Sequence, residues 1–204
     1  MKKLILALVV AVSLIVIICA AGPISAGAAK LANKVRFAVH VAELYTKDPD
    51  QKLEMPVQGI TRNQMSDTWH ASRDSNRLHE GQDIFAPHGT PVLSATDGYV
   101  MNIGANTLGG QTVSVIGAGG RVYYYAHLSA YAANLATGDH VTIKTVLGYV
   151  GNTGNAATTP AHLHFGVYTR SGAINPLPLI EDRPKPKPKR NEVISNQPQR
   201  NRRR

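Results

Sequence analysis

Cysteine is almost missing from these 204 residues, Cys19 being the only one. No intrachain disulfide can form, and thiolate ligation of a metal in a folded domain is excluded, which leaves His, Asp and Glu as ligands. Cys19 follows Ile17 and Ile18, where a lipid-attachment site would carry small residues, and reads as a small apolar member of its segment. Acid is scarce at the chain ends. From Arg183 to Arg204 nine Lys/Arg stand against one acid, Glu192, and Lys2 and Lys3 open the chain. Residues 4–182 carry eleven Lys/Arg and twelve Asp/Glu, so the formal charge of +9 belongs to the ends. A basic nucleic-acid-binding face is thereby excluded.

An unbroken apolar or small run from Leu4 to Ala21 follows the two lysines. At ~1.5 Å per residue it spans roughly 27 Å, close to the ~30 Å hydrocarbon core of a membrane. Ala26-Gly-Ala28 offers a small-residue cleavage site, so residues 1–27 read as an uncleaved signal anchor or a cleaved signal peptide. Either way Lys2 and Lys3 stay inside and the rest is exported, to the periplasm or the cell surface. Leu31, Val35, Val39 and Leu44 then mark a short amphipathic helix from Ala28 to about Lys47, stopped by Asp48-Pro-Asp50. Residues 28–55 are read as this helical spacer and a linker.

From Pro91 onward short β runs alternate with turn residues. Gly98–Asn102, Thr112–Ile116, Arg121–Tyr125, Val146–Val150 and Leu163–Tyr168 are separated by Gly109-Gly110, Gly119-Gly120 and similar punctuation. This spacing predicts a mainly β domain over residues 56–182, a compact antiparallel β-sandwich or partly open barrel. Residues 183–204 begin by alternating proline with charge, which predicts an extended, disordered basic tail.

Two short motifs carry the chemistry. His79-Glu-Gly-Gln-Asp83 and His162-Leu-His164 each place their polar groups at even spacing, which puts them on one side of an extended backbone. Two His and one Asp make a three-ligand site that leaves zinc a fourth position for water. His70-Ala-Ser-Arg-Asp74 has the same spacing as the first motif. Asp83, however, runs into Ile84-Phe85, a short apolar strand that would fix its carboxylate, and Gly81 permits a tight approach beside it. Asp74 is followed by Ser75-Asn76, a flexible loop, so His79 and Asp83 are favoured. His162-Leu-His164 is the single His-x-His of the chain and opens a strand, and His127 sits at the end of the Tyr123-Tyr-Tyr-Ala run. His40, His70, His88 and His140 read as bystanders, and Trp69 and Arg73 as either groove lining or ordinary loop residues.

In order, Arg77–Pro87, Gly89-Thr-Pro-Val92, Tyr125-Ala-His-Leu128, Gly148–Gly154 and His162–Gly166 resemble the lysostaphin-type, LytM-like zinc metallopeptidases over roughly residues 56–178. The helix-borne His-Glu-x-x-His of thermolysin-like proteases is absent. The resemblance implies that His79, Asp83 and His164 bind Zn2+, and that His127 and His162 are the two active-site histidines that do not. It implies a compact antiparallel β domain with its site in a groove, and hydrolysis of peptide bonds in bacterial cell-wall peptidoglycan. Which of His127 and His162 moves protons and which stabilises the oxyanion stays open. So does the substrate preference, because the segment from Trp69 to Asn76 covers the approach. The alternative is a non-catalytic, cell-wall-binding or regulatory module of the same fold, but such relatives lose ligands and all five positions are filled here. The basic tail is read as a tether to an anionic envelope surface or as a merely solvated segment.

Overall fold

The computed structural model describes residues 26–73 and 77–184. The apolar run of Leu4 to Ala21 and the tail beyond Pro184 lie outside the described residues. Among the described residues no helix is long and apolar enough to cross a membrane.

Helix α1 (Ala26–Leu44) opens the described chain. The strands that follow are β1 (Leu53–Glu54), β2 (Ser72–Arg73), β3 (Arg77–Leu78), β4 (Gln82–Phe85), β5 (Pro91–Leu93), β6 (Gly98–Asn106) and β7 (Gly110–Gly117). After them come β8 (Val122–Tyr131), β9 (His140–Val141), β10 (Val146–Val150), β11 (His162–Thr169), β12 (Gly172–Ile174) and β13 (Ile180–Glu181).

Strands β4–β12 form one antiparallel sheet, and its path β9-β6-β7-β8 divides at β8. The first half of β8 pairs with β11, which carries β4 and β12 on its far edge. The second half pairs with β10, which carries β5. Among the described residues β9 and β12 each have one neighbour, so the sheet stays open. The expected sandwich or partly open barrel is thus a single branched, open sheet. It is flanked by the hairpin β2–β3 and by a parallel pair, β1 with β13.

β-Branched and aromatic residues fill the core because they pack well on a pleated surface. Val100, Val113, Val115, Tyr123, Tyr125, Leu128, Leu163, Phe165 and Val167 are all fully buried. Tyr125 keeps its hydroxyl satisfied by accepting from the Ala95 N–H at 2.9 Å, and burial pushes its phenol up to about 12. Leu53, Met55 and Val57 belong to the same core, so the domain starts inside the stretch read from sequence as linker. The Asp50 carboxylate fastens that stretch by accepting from Thr96 Oγ1 at 2.7 Å and Tyr123 OH at 3.0 Å. Tyr45 packs on Gly120, where a Cβ would come within 1.9 Å of its ring; with φ +70° there, both space and backbone require glycine. At the other terminus Arg183 is not part of a free tail. Its guanidinium donates to the carbonyls of Met55 (2.6 Å), Ser94 (2.8 Å) and Ile143.

Helix α1 begins two residues before, and ends three residues short of, the span expected from sequence. Its Phe37 and His40 rest on Tyr99, which His140 meets from another side. Tyr99 lies at the Gly98 end of β6. The opposite end, at Asn106, leads into the turn that borders the site.

Candidate active site

The site is built where β4 and β11 pair. Their antiparallel register sets Asp83 directly opposite His164, and Phe85 opposite His162. Side chains opposite one another share a face, so strand pairing alone brings the carboxylate to the imidazole. His79 lies four residues before Asp83 and folds in from the end of the β2–β3 hairpin. His79 Nε2 stands 3.0 Å from Asp83 Oδ1 and 2.8 Å from His164 Nδ1, and the third side of the triangle is 3.2 Å.

These atoms fit a metal ion by both distance and chemistry. Ligands about 2.0–2.1 Å from a tetrahedral ion lie about 3.3 Å apart, so the triangle needs to open by only a few tenths of an ångström. His79 Nδ1–H donates to the Thr68 carbonyl at 2.6 Å, which leaves Nε2 as a lone pair aimed at the site. One proton on His164 Nδ1 can face only one of the two other acceptors, whereas a cation between them satisfies all three. His79, Asp83 and His164 are also the group whose ligand atoms cluster most suitably for an ion among the described residues. Burial works against the Asp83 charge, but the adjoining His164 and His79 rings outweigh it and hold the carboxyl well below the usual carboxylate range. Burial lowers His164 as well, which favours the neutral imidazole that metal binding needs.

Gly81 lets His164 approach. A Cβ at residue 81 would stand 2.6 Å from His164 Cε1 and 2.8 Å from the Phe165 carbonyl oxygen. The tight approach expected beside the site is present.

His162 and His127 flank the triangle without joining it. His162 Nδ1–H donates to the Pro160 carbonyl at 2.8 Å, and its Nε2 lies 3.8 Å from Asp83 Oδ1. His127 Nδ1–H donates to the Thr153 carbonyl at 2.8 Å, with its ring 5.0 Å from that of His162 and 5.9 Å from that of His164. Burial pushes the His127 imidazole down to about 4. Sequence placed this residue at a strand terminus, whereas it stands inside β8. Its φ of 62° falls where the β7–β8 register shifts, and this bulge re-aims the side chain.

His70 is exposed and stacks on Trp69 at 4.4 Å, and Asp74 lies outside the described residues. Arg73 contacts the second oxygen of Asp83, and it lines the groove; Trp69 does not. Two helpers, the buried Gln82 and the half-buried Thr68, escaped the sequence reading. Gln82 accepts from the Thr68 N–H at 3.0 Å and donates to Asp67 at 2.7 Å, and the Thr68 hydroxyl accepts from the Asp83 N–H at 2.9 Å. The signal was there in Gln82, a polar residue inside a strand that must be buried. A groove of about 490 Å³ opens over the site between the β2–β3 hairpin, the Asn106–Gly109 turn and Asn155, with His79, His127 and His164 in its lining.

Known proteins resemble this chain over the part that holds the site. The family described as Peptidase family M23 matches residues 77–176. The L-Ala--D-Glu endopeptidase of Bacillus subtilis (strain 168) is 38% identical over 124 residues, 55% of this chain and 38% of that protein. The structure of Helicobacter pylori Csd3 matches with a TM-score of 0.53 and 34% identity, over 70% of this chain and 39% of that one. The catalytic domain of lysostaphin from Staphylococcus simulans matches with a TM-score of 0.50 and 29% identity, over 57% of this chain and 92% of that one. This chain therefore spans well under half the length of the B. subtilis relative, and the family match lies within the β domain. With the triangle of His79, Asp83 and His164 inside the matched span, residues 77–176 are a Peptidase family M23 domain.

Proposed function

We propose that the chain is a zinc-dependent endopeptidase that hydrolyses peptide bonds in bacterial cell-wall peptidoglycan, outside the cytoplasm. The observation that carries this reading is the convergence of three ligand atoms within 2.8–3.2 Å at the floor of an open groove. Membership of the family and the names of its peptidoglycan-cleaving relatives support the substrate class. Lys2, Lys3 and the apolar run after them support export, with the N-terminus as a membrane anchor.

Zinc held by two neutral imidazoles and a carboxylate would supply a bound water of lowered pKa and a polarised carbonyl. The residues of this chain do the rest. Burial favours the neutral form of His164, and the Thr68 carbonyl fixes the His79 tautomer that turns Nε2 to the site. Arg73 engages the outer oxygen of Asp83 and so leaves Oδ1 to face the ligand triangle. His127 and His162 both have Nδ1–H pinned to a carbonyl, so both present Nε2 as a proton acceptor. A ring so held takes a proton from the attacking water at Nε2 and returns it to the leaving amine. The other ring, lying beside it, donates to the developing oxyanion when it has taken a proton from solvent at Nε2.

The test is digestion of purified peptidoglycan by the zinc-loaded protein, with mass spectrometry of the released fragments. New amino termini are expected with the wild type and none with His79→Ala. A fully zinc-loaded protein that binds sacculi and releases nothing would make it a non-catalytic module.

A further inference from the structure

The hairpin β2–β3 contains two guanidinium groups where its folding gains nothing from them. Arg73 and Arg77 are directly opposite across its ladder, and the only other pair is Ser72 with Leu78. Like charges opposite one another destabilise a ladder, and a two-pair hairpin has little to offset that. Both arginines are exposed on the hairpin and both line the groove over the ligand triangle. Their charges are met differently. Arg73 engages the outer oxygen of Asp83. Arg77 has neither an ion pair nor a side-chain hydrogen bond among the described residues.

We propose that Arg77 receives a free carboxylate of the substrate peptide, so that the groove selects acidic peptides over their amidated counterparts. The inference rests on the endopeptidase reading above and names the chemistry of its substrate. A planar guanidinium with five donors matches a carboxylate by two parallel N–H···O bonds, which a neutral amide cannot reproduce. The rest of the groove leaves the carboxylate one place to go. Asn106, Asn155 and Tyr124 are neutral, and the one acid in the lining, Glu80, lies toward β11, where its charge adds to burial in raising the Tyr168 phenol. Arg73 is already neutralised by Asp83. An incoming carboxylate is therefore repelled at the Glu80 side and attracted at the Arg77 side, which also fixes the direction in which the peptide lies.

The test uses the full-length protein and two probes: a cell-wall stem tetrapeptide with its carboxyls free, and the same peptide with all of them amidated. Binding is measured by calorimetry and hydrolysis by kcat/KM, for the wild type, Arg77→Gln and Arg77→Lys. A charge-assisted bidentate pair at a half-open groove should give the wild type about ten-fold tighter binding of the free acid. Arg77→Gln should bring the two peptides to within about two-fold, by raising KM for the acid while kcat and zinc content hold. Arg77→Lys, a point charge, should retain part of the preference. Equal affinity of the wild type for both peptides overturns the proposal, as does full discrimination in Arg77→Gln. If neither peptide is cleaved, the endopeptidase reading fails while the binding comparison still decides the fate of Arg77.

Discussion

Replacing Gly81 by alanine adds one methyl group and tests how the site is assembled. Gly81 does not have a positive φ, so alanine meets no backbone objection, and the whole effect is spatial. The new Cβ would stand 2.6 Å from His164 Cε1, 2.9 Å from His164 Nε2 and 2.8 Å from the Phe165 carbonyl oxygen. Carbon atoms rest at about 3.5 Å or more, so the His164 ring must retreat by about 0.9 Å. The carbonyl cannot yield in its place, because Phe165 is paired with both Gln82 and Tyr125 in the sheet. Metal ligands tolerate about 0.2 Å of misplacement, and loss of a mere orienting partner already costs ~10–100-fold in affinity. Zinc affinity of Gly81→Ala should accordingly fall about 100-fold or more, read by competition with a chromophoric chelator. Overpacking should cost the metal-free protein about 1–3 kcal/mol, read by urea denaturation, with the near-ultraviolet circular dichroism of the sheet retained. Gly104→Ala is the control, since its Cβ would meet nothing closer than 3.8 Å. Zinc affinity unchanged in Gly81→Ala, or equally reduced in Gly104→Ala, would refute the reasoning.

His79→Ala and Asp83→Ala should each abolish zinc binding and hydrolysis while His70→Ala changes neither, with metal content measured by atomic emission. His127→Ala and His162→Ala should keep zinc and lose about 10²–10⁴-fold in kcat, and zinc loss in His162→Ala with retention in His164→Ala would reverse the roles within that pair. Arg73→Gln frees the outer oxygen of Asp83 and should weaken zinc by about ten-fold in the same chelator competition. Arg183→Ala leaves the carbonyls of Met55, Ser94 and Ile143 without their donor and should lower stability by about 1–3 kcal/mol in urea, with activity unaffected. Removing residues 185–204, which spares Arg183, should leave cleavage of a small soluble peptide unchanged and weaken association with anionic vesicles at low salt; equal binding with and without these residues retires the tether.

The sequence made the ligand types legible because spacing along a strand is itself geometry. His79, Asp83 and the His162–His164 pair could be nominated from even spacing, and the resemblance then chose His164 within the pair. The structure gives that choice its physical reason: His164 faces Asp83 across the β4–β11 ladder, and His162 faces Phe85. Which strand pairs with which is a long-range matter that spacing does not encode. His127 escaped correct placement because a bulge depends on the mismatch between two strands, and only one of them carries the residue. Arg73 could be weighed as groove lining and Gln82 stood out as a polar strand residue, but their partners lie ten or more positions away, so their roles beside Asp83 were not legible locally. The boundaries of the domain were missed for a similar cause. Leu53 and Met55 become core through β13, and Arg183 becomes structural through carbonyls of three distant segments.

The two places where the chain enters and leaves the sheet are neighbours, with Lys52 Nζ only 2.7 Å from Glu181 Oε1. The entering segment is also fastened at Thr96 and Tyr123, near the Gly98 end of β6. The groove reaches to the other end of that strand at Asn106, about 26 Å from Gly98 at ~3.3 Å per residue. Anything that holds the protein by these two points therefore works like a hand on the shaft of a tool, with the cutting edge at the far tip. Tension on such a hold would turn the groove outward from its support, and bulky partners fused there would leave the working end clear.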